Sequence, residues 1–100
     1  VSILSLSEKF EKYSKKVLNL LENDEIRALA DNRSETIGKK IRDAETSKVP
    51  YMLIVGEQEE KDGTVSVRKH GEGDLGTMTV SEFVEIINNE IKSTIIEFNV

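Results

Sequence analysis

The sequence predicts an α/β domain, residues 1–100, whose elements follow the order β-α-β-α-β-β-β-α. Two kinds of apolar spacing alternate along the chain: short apolar runs, typical of strands, and repeats of three and four residues, typical of one helix face. A length of 100 residues suits one domain with one hydrophobic core. Strands that alternate with helices favour a largely parallel sheet, to which a later hairpin adds antiparallel pairing.

The first part of the chain predicts a strand, a helix and a second strand. Residues 1–6 are short and alternate loosely, which is typical of a strand. Ser5 and Glu8 have capping-box spacing, with Ser7 as an alternative cap, so a helix begins here. Residues 26–30 predict the second strand. The apolar face of the helix repeats every three or four residues, at Phe10, Tyr13, Val17 and Leu21.

A second helix and a buried strand are predicted in the middle of the chain. Residues 31–35 indicate a loop, and Ile37 begins an i, i+4, i+7 apolar pattern that predicts an amphipathic helix to about residue 48. Pro50 stops the helix, because the residue before a proline is pushed out of the α region. Residues 51–55 are all apolar, which is typical of a central strand covered on both faces.

The second half of the chain predicts a hairpin, a short strand and a last helix. Residues 57–63 indicate a charged loop before an alternating strand at residues 64–68. A further short strand is expected at residues 77–78, after a glycine-rich stretch. Thr79 and the glutamate three residues later have capping-box spacing and begin the final helix. Residues 93–100 are expected to form a frayed or displaced tail.

Composition excludes several kinds of site. The absence of cysteine excludes disulfides, iron–sulfur clusters, cysteine-ligated zinc and a cysteine nucleophile. The single histidine, His70, excludes any site that needs two, and it has no partner constellation to serve. No apolar run approaches the roughly 20 residues of a membrane span. The chain begins at Val1 rather than Met, which indicates a piece of a longer protein.

One glycine-rich motif is rejected as a nucleotide site. Residues 71–76 match G-x-G-x-x-G, but the last glycine precedes the predicted helix cap instead of lying in the first helical turn. Glu72 and Asp74 would also repel a pyrophosphate. A glycine turn explains the pattern better.

The net charge and the basic residues point to different conclusions about nucleic-acid binding. A formal net charge of −5 argues against nucleic acid, because phosphate contacts need lysine and arginine. Arginine nevertheless carries five donors in a planar fork that suits bases and phosphates. From spacing alone, the basic residues in the middle of the chain fit either a solvated helix face or a binding face. They are Arg33, Lys39, Lys40, Arg42 and Lys48, with Arg68 and Lys69 at the end of a predicted strand.

Four segments, taken in order and at their spacing, resemble one family. They are residues 30–42, 49–56, 63–68 and 74–78, and they include Val49-Pro50-Tyr51-Met52, Val65-Ser66-Val67-Arg68 and Leu75-Gly76-Thr77-Met78. With them the chain resembles the C-terminal anticodon-binding domain of bacterial threonyl-tRNA synthetases, from Val1 to about Ile91. The resemblance implies a three-layer α/β/α fold, with a five-stranded mixed sheet flanked by three helices.

The resemblance also implies a function. The domain binds the anticodon stem-loop of threonine tRNA and contacts its middle and third bases, within a cytoplasmic, ATP-dependent threonine–tRNA ligase that is a homodimer. The zinc, threonine and ATP–magnesium sites belong to a catalytic domain upstream, so this chain is expected to have no cofactor or catalytic site. It is also expected to bind no DNA or membrane and to be monomeric alone. The alternative is a protein-interaction or regulatory domain that reuses the same fold.

Individual residues inherit roles from the resemblance. Arg68, Arg42 and Glu59 match anticodon-site positions, where an arginine can donate to a guanine edge and a carboxylate can accept from a base N–H. Arg33 is placed at the same site. Ser34 departs from the family pattern, which has asparagine there, so a base contact, a water-mediated contact or a helix cap all remain open. Weaker contacts to the tRNA backbone are expected from Lys39, Lys40 and Lys69.

Overall fold

The computed structural model describes residues 1–31 and 33–98, with side chains described as far as Glu90. Within these residues the strands are β1 (Ser2–Ser5), β2 (Leu29–Asp31), β3 (Tyr51–Val55), β4 (Thr64–Lys69) and β5 (Gly73–Thr79). The helices are α1 (Glu11–Asn23), α2 (Ile37–Thr46), α3 (Glu57–Asp62) and α4 (Val80–Phe98), and a 3-10 turn at Glu8–Phe10 leads into α1. No helix of the described residues is both long and apolar enough to cross a bilayer.

The five strands form one mixed sheet in the order β2-β1-β3-β4-β5. β1 pairs in parallel with β2 and β3, while β3 with β4 and β4 with β5 pair antiparallel. In this register Met52 lies opposite Arg68, and Ile54 lies opposite Ser66. The pairing of β4 with β5 shifts between Val67 and Arg68, as at a β-bulge. The predicted α/β class and mixed sheet are confirmed.

Helices cover the two faces of the sheet unequally. α1 and α4 pack on one face, around a core that includes Val17, Leu53 and Phe83, each 0% exposed. α2 packs on the other face, where a smaller cluster joins Ala44 to Leu4 and Met52 of β1 and β3. This arrangement is the predicted three-layer fold. Because the smaller cluster contains no residue of β4 or β5, α2 leaves that half of its face open.

Capping residues mark where the 3-10 turn before α1 and the helix α4 begin. Ser7, the alternative cap, accepts a hydrogen bond from the backbone N–H of Lys9, whereas Ser5 lies buried in β1. Thr79 accepts from the backbone N–H of Glu82 at 3.2 Å, which is one half of the predicted capping box, and its hydroxyl donates to the Glu82 carboxylate. Asn32 and residues 99–100, the end of the predicted tail, lie outside the described residues.

Three element predictions are corrected. The charged loop is largely the helix α3: three of its four acidic residues lie in the first turn, where the helix dipole favours them, and Gly63 ends it with a positive φ of 70°. β2 begins at Leu29, because the chain after α1 folds back and Ile26 enters the core. β5 begins at Gly73 and is longer than the expected residues 77–78.

Candidate nucleic-acid interface

The half of the sheet that α2 leaves uncovered presents a group of polar side chains. Val65 and Val67 are fully buried on the α1–α4 side, so the residues that alternate with them along β4 point to the α2 side. β5 adds a threonine paired with β4, and α3 adds a glutamate. We call this group the open sheet face; it consists of Glu59, Ser66, Arg68 and Thr77.

Arg68 is the cation of the open sheet face. Its side chain is half-buried, its Nε is buried, and no described protein group accepts a hydrogen bond from that atom. A buried donor without an acceptor costs free energy, so such atoms are rare in folded proteins. No salt bridge joins Arg68 to another described residue, so no carboxylate of the described chain neutralises its charge.

Glu59 is the acceptor on the same face. The Ser66 hydroxyl donates to its Oε1 at 3.3 Å, and the Ser66 and Thr77 hydroxyl oxygens lie 3.4 Å apart. Ser66 and Arg68 are two residues apart on β4, which places their side chains on one face at a spacing of roughly 7 Å. A carboxylate and a guanidinium on one face of the sheet present an acceptor and several donors, which is what the edge of a base requires.

Arg42 is an exposed residue of α2. Successive helical residues turn by about 100°, so Arg42 and the neighbouring Asp43 project in different directions. The Asp43 carboxylate accepts from Arg33, which follows the edge strand β2, so Arg42 does not point to that edge. Arg42 is exposed and forms no salt bridge within the described residues.

Arg33, in contrast, is paired within the chain. Its Nε and Nη2 donate to both carboxylate oxygens of Asp31 at 2.8 Å, and Nη2 also donates to Asp43 at 3.1 Å. The hydrogen bonds from Arg33 hold the pKa of the Asp31 carboxyl below its usual value. Arg33 lies at the β2 edge of the sheet, so the structure does not bring it together with Arg68.

Ser34 forms a hydrogen bond to the turn that leads into α1. Its hydroxyl donates to the Glu8 carboxylate at 3.2 Å. The cap of α2 is Thr36, whose hydroxyl accepts from the backbone N–H of Lys39 at 3.2 Å. The interpretation of Ser34 as the helix cap was therefore wrong.

Lys40 belongs to the fold and not to the surface. Its side chain is 2% exposed, and its ammonium donates to the backbone carbonyls of Ser5 and Asp31, each at 3.1 Å. These carbonyls end β1 and β2, so Lys40 ties the carboxyl ends of two parallel strands to α2. The predicted contact of Lys40 with the tRNA backbone does not fit this burial and is corrected.

Lys69 points to the opposite side of the sheet from Arg68. Its ammonium lies 3.0 Å from the Glu90 carboxylate, 3.6 Å from Glu72 and 5.7 Å from the centre of the Tyr51 ring. Alternation along β4 produces this placement, so Lys69 and Arg68 lie on different faces, and the weaker contact of Lys69 with the tRNA backbone stays a prediction. Lys39 stays exposed, in a surface pair with Glu35 at 3.4 Å, where a phosphate can still reach it.

Two residues of the open sheet face escaped the sequence analysis. Ser66 and Thr77 carry its hydroxyls, and both appeared in the matched segments only as part of strands. The signal was available for Ser66, because strand alternation places it on the same face as Arg68. Thr77 required the β4–β5 register, which a single sequence does not specify.

Two other features of the described residues lie apart from this face. A groove of about 700 Å³ is lined by the amino ends of β1, β2 and β3, among them Val1, Leu29 and Pro50, and it includes no predicted site residue. Among the residues described, no group of three or more His, Asp or Glu side chains is placed to hold a metal ion.

The chain matches a known family and several known proteins. A family model for the anticodon binding domain matches residues 1–90. A threonine–tRNA ligase of Flavobacterium johnsoniae is 66% identical over 100 residues, which cover 98% of this chain and 15% of that protein. A threonine–tRNA ligase of Bacteroides fragilis is 56% identical over 95 residues, or 95% of this chain and 15% of that protein.

A solved structure supports the same relationship. The RNA binding domain of threonyl-tRNA synthetase from Cryptosporidium parvum superposes with a TM-score of 0.82 at 29% identity, covering 88% of this chain and 22% of that one. The chain therefore spans about 15% of the length of the ligases that it matches.

Proposed function

The chain belongs to the anticodon-binding domain family of threonyl-tRNA synthetases, and we propose that it binds the anticodon stem-loop of threonine tRNA within a longer ligase. That ligase would attach threonine to its tRNA in the cytoplasm, as a homodimer, with ATP–magnesium and zinc bound by another domain. This domain contributes recognition, and the residues that carry it are Arg68, Glu59 and Arg42.

The proposal rests on one observation. The Arg68 guanidinium, which has no carboxylate partner among the described residues, and the Glu59 carboxylate lie on the same open sheet face. Anticodon bases are unstacked and exposed, so proteins recognise them by hydrogen bonds to their edges. Arg68 can donate two parallel hydrogen bonds to a guanine, the middle base of threonine anticodons. Glu59 can accept from the N–H of a guanine or uracil.

The charge distribution supports base contacts more than backbone contacts. Arg42 and Lys39 are exposed on α2 and can meet phosphates beside the bases. The chain as a whole carries a net charge of −5, which limits sequence-independent attraction to RNA. The domain is therefore expected to select its anticodon by a few hydrogen bonds.

Replacing Arg68 tests the proposal. We expect Arg68→Ala to weaken binding to a synthetic threonine anticodon stem-loop by roughly 5- to 150-fold, the worth of one bidentate arginine–base contact. Arg27→Ala is the matched control, because Arg27 is an exposed arginine outside the open sheet face and its loss changes net charge equally. Binding is measured by fluorescence anisotropy of the labelled stem-loop.

The two possible outcomes separate the proposal from its alternative. A loss confined to Arg68→Ala supports anticodon recognition at the open sheet face. Equal binding by Arg68→Ala, Arg27→Ala and the unchanged chain would contradict it and favour a protein-interaction role for the same fold.

A further inference from the structure

We propose that Ser66 and Thr77 are positioning residues that hold the Glu59 carboxylate ready to accept a hydrogen bond from an anticodon base. The inference rests on the proposed function of the open sheet face and adds two residues and a direction of hydrogen bonding to it. Neither hydroxyl needs to touch the RNA for this role.

The hydrogen bonds form a chain with one possible direction. A carboxylate has no proton to give, so Ser66 must donate its only hydroxyl proton to Glu59. Its contact with Thr77 then requires Thr77 to be the donor and Ser66 the acceptor. Ser66 and Thr77 are also paired across β4 and β5 in register, so the sheet itself fixes their separation.

Glu59 needs such a support because its own helix gives it little. α3 has six residues, and none of them is buried. A free glutamate side chain loses conformational entropy when it is fixed on a ligand. The hydrogen bond from Ser66 of β4 restricts the Glu59 side chain before the RNA binds, so less entropy is lost on binding, which is the general advantage of a preorganised site.

Glu59 and Arg68 do not form an ion pair with each other. No salt bridge joins those two side chains in the described part of the chain, and the Glu59 carboxylate instead accepts from the Ser66 hydroxyl. Acceptor and donor therefore both remain available to a base.

Titrations of the 100-residue chain with anticodon stem-loops test this role. The probes are a loop with guanine in the middle and uracil third, and loops with either base replaced. We expect Ser66→Ala and Thr77→Val to reduce the preference for the threonine anticodon by roughly two- to tenfold, the range of one hydrogen bond. Ser66→Thr, which keeps the hydroxyl, should restore the preference.

A matched control is available on the same strand. Thr64 lies on the same face of β4, and its buried hydroxyl has no protein partner among the described residues. Thr64→Val should therefore leave base preference unchanged. Urea unfolding of each variant shows whether an altered preference arises from unfolded protein.

A double-mutant cycle distinguishes positioning from direct contact. If Ser66 acts through Glu59, the variant that combines Ser66→Ala with Glu59→Gln discriminates no worse than Glu59→Gln alone. Additive losses would mean that Ser66 contacts the RNA itself and would overturn the inference.

Single variants separate this inference from the proposed function. Unchanged preference in Ser66→Ala, with a loss in Glu59→Gln, would overturn the positioning role and leave anticodon recognition standing. Unchanged preference in both Glu59→Gln and Arg68→Ala would overturn both.

Discussion

Residues that look alike in the sequence have different tasks in the structure. Arg33 and Arg68 were both candidates for RNA contact, yet Arg33 is held by two carboxylates, while the Arg68 Nε has no acceptor among the described residues. Family resemblance pointed to Arg68 and Glu59, which do share one face. Their hydroxyl neighbours could not be predicted together, because strand register is a long-range property.

Lys40 and Lys69 show where local periodicity already contained the answer. Lys40 lies three residues after Ile37 and four before Ala44, which is the spacing of the buried helix face. Lys69 directly follows Arg68 in a strand, so its side chain points to the other side of the sheet. A count of positive charges alone does not show that Lys40 is buried or that Lys69 lies on the other side of the sheet.

Lys40 is expected to matter for stability rather than for RNA contact. Lys40→Met keeps the apolar stem but leaves the Ser5 and Asp31 carbonyls without their donor, so we expect it to lower the free energy of unfolding by about 1–3 kcal/mol. Lys39→Met, its exposed neighbour, should change stability by less than about 0.5 kcal/mol. Equal urea midpoints for the two variants would contradict the role assigned to Lys40.

At the scale of elements, the sequence predicted every strand and the three long helices. The central strand at Tyr51–Val55 was predicted residue for residue, because an all-apolar run between a proline and a glycine has clear limits. The helix α3 was missed because its six residues are polar and lack an apolar stripe. The remaining signals for this helix were the acidic residues of its first turn, which the helix dipole favours, and the glycine at its end.

Two glycines allow a test of element stability. Gly38 lies in α2 with open space where a Cβ would be, so Gly38→Ala should raise the free energy of unfolding by about 0.5–1 kcal/mol. Gly63 also has open space, but its φ of 70° is unfavourable for alanine, so Gly63→Ala should lower stability by about 1 kcal/mol. Urea unfolding gives both signs, and a shift of the two variants in the same direction would contradict this explanation.

At the scale of the whole molecule, a net charge of −5 and RNA recognition are compatible because charge is distributed unevenly. Acidic side chains occupy the first turn of α3 and much of the outer surface, while Arg68 lies on the open sheet face and Arg42 is exposed on α2. Net charge governs non-specific attraction, whereas base selection depends on a few directed hydrogen bonds.

The same charges predict how stability depends on pH. Hydrogen bonds from Arg33 to Asp31, and from Tyr51 and Lys69 to Glu90, lower the pKa of both carboxyls. A lowered pKa in the folded state adds stability above the ordinary carboxyl pKa of about 4, and that stability is lost as pH falls through the folded value. Urea midpoints should therefore fall below about pH 4, with a shallower fall in Glu90→Gln; an identical fall in that variant would contradict this cause.

One titration tests whether this domain recognises anticodon bases. The chain is titrated with stem-loops that differ only in the middle and third anticodon bases, at several salt concentrations. We expect added salt to weaken binding to all loops alike, while the preference for the threonine anticodon persists. Equal affinity for every loop, with binding that disappears as salt rises, would contradict it.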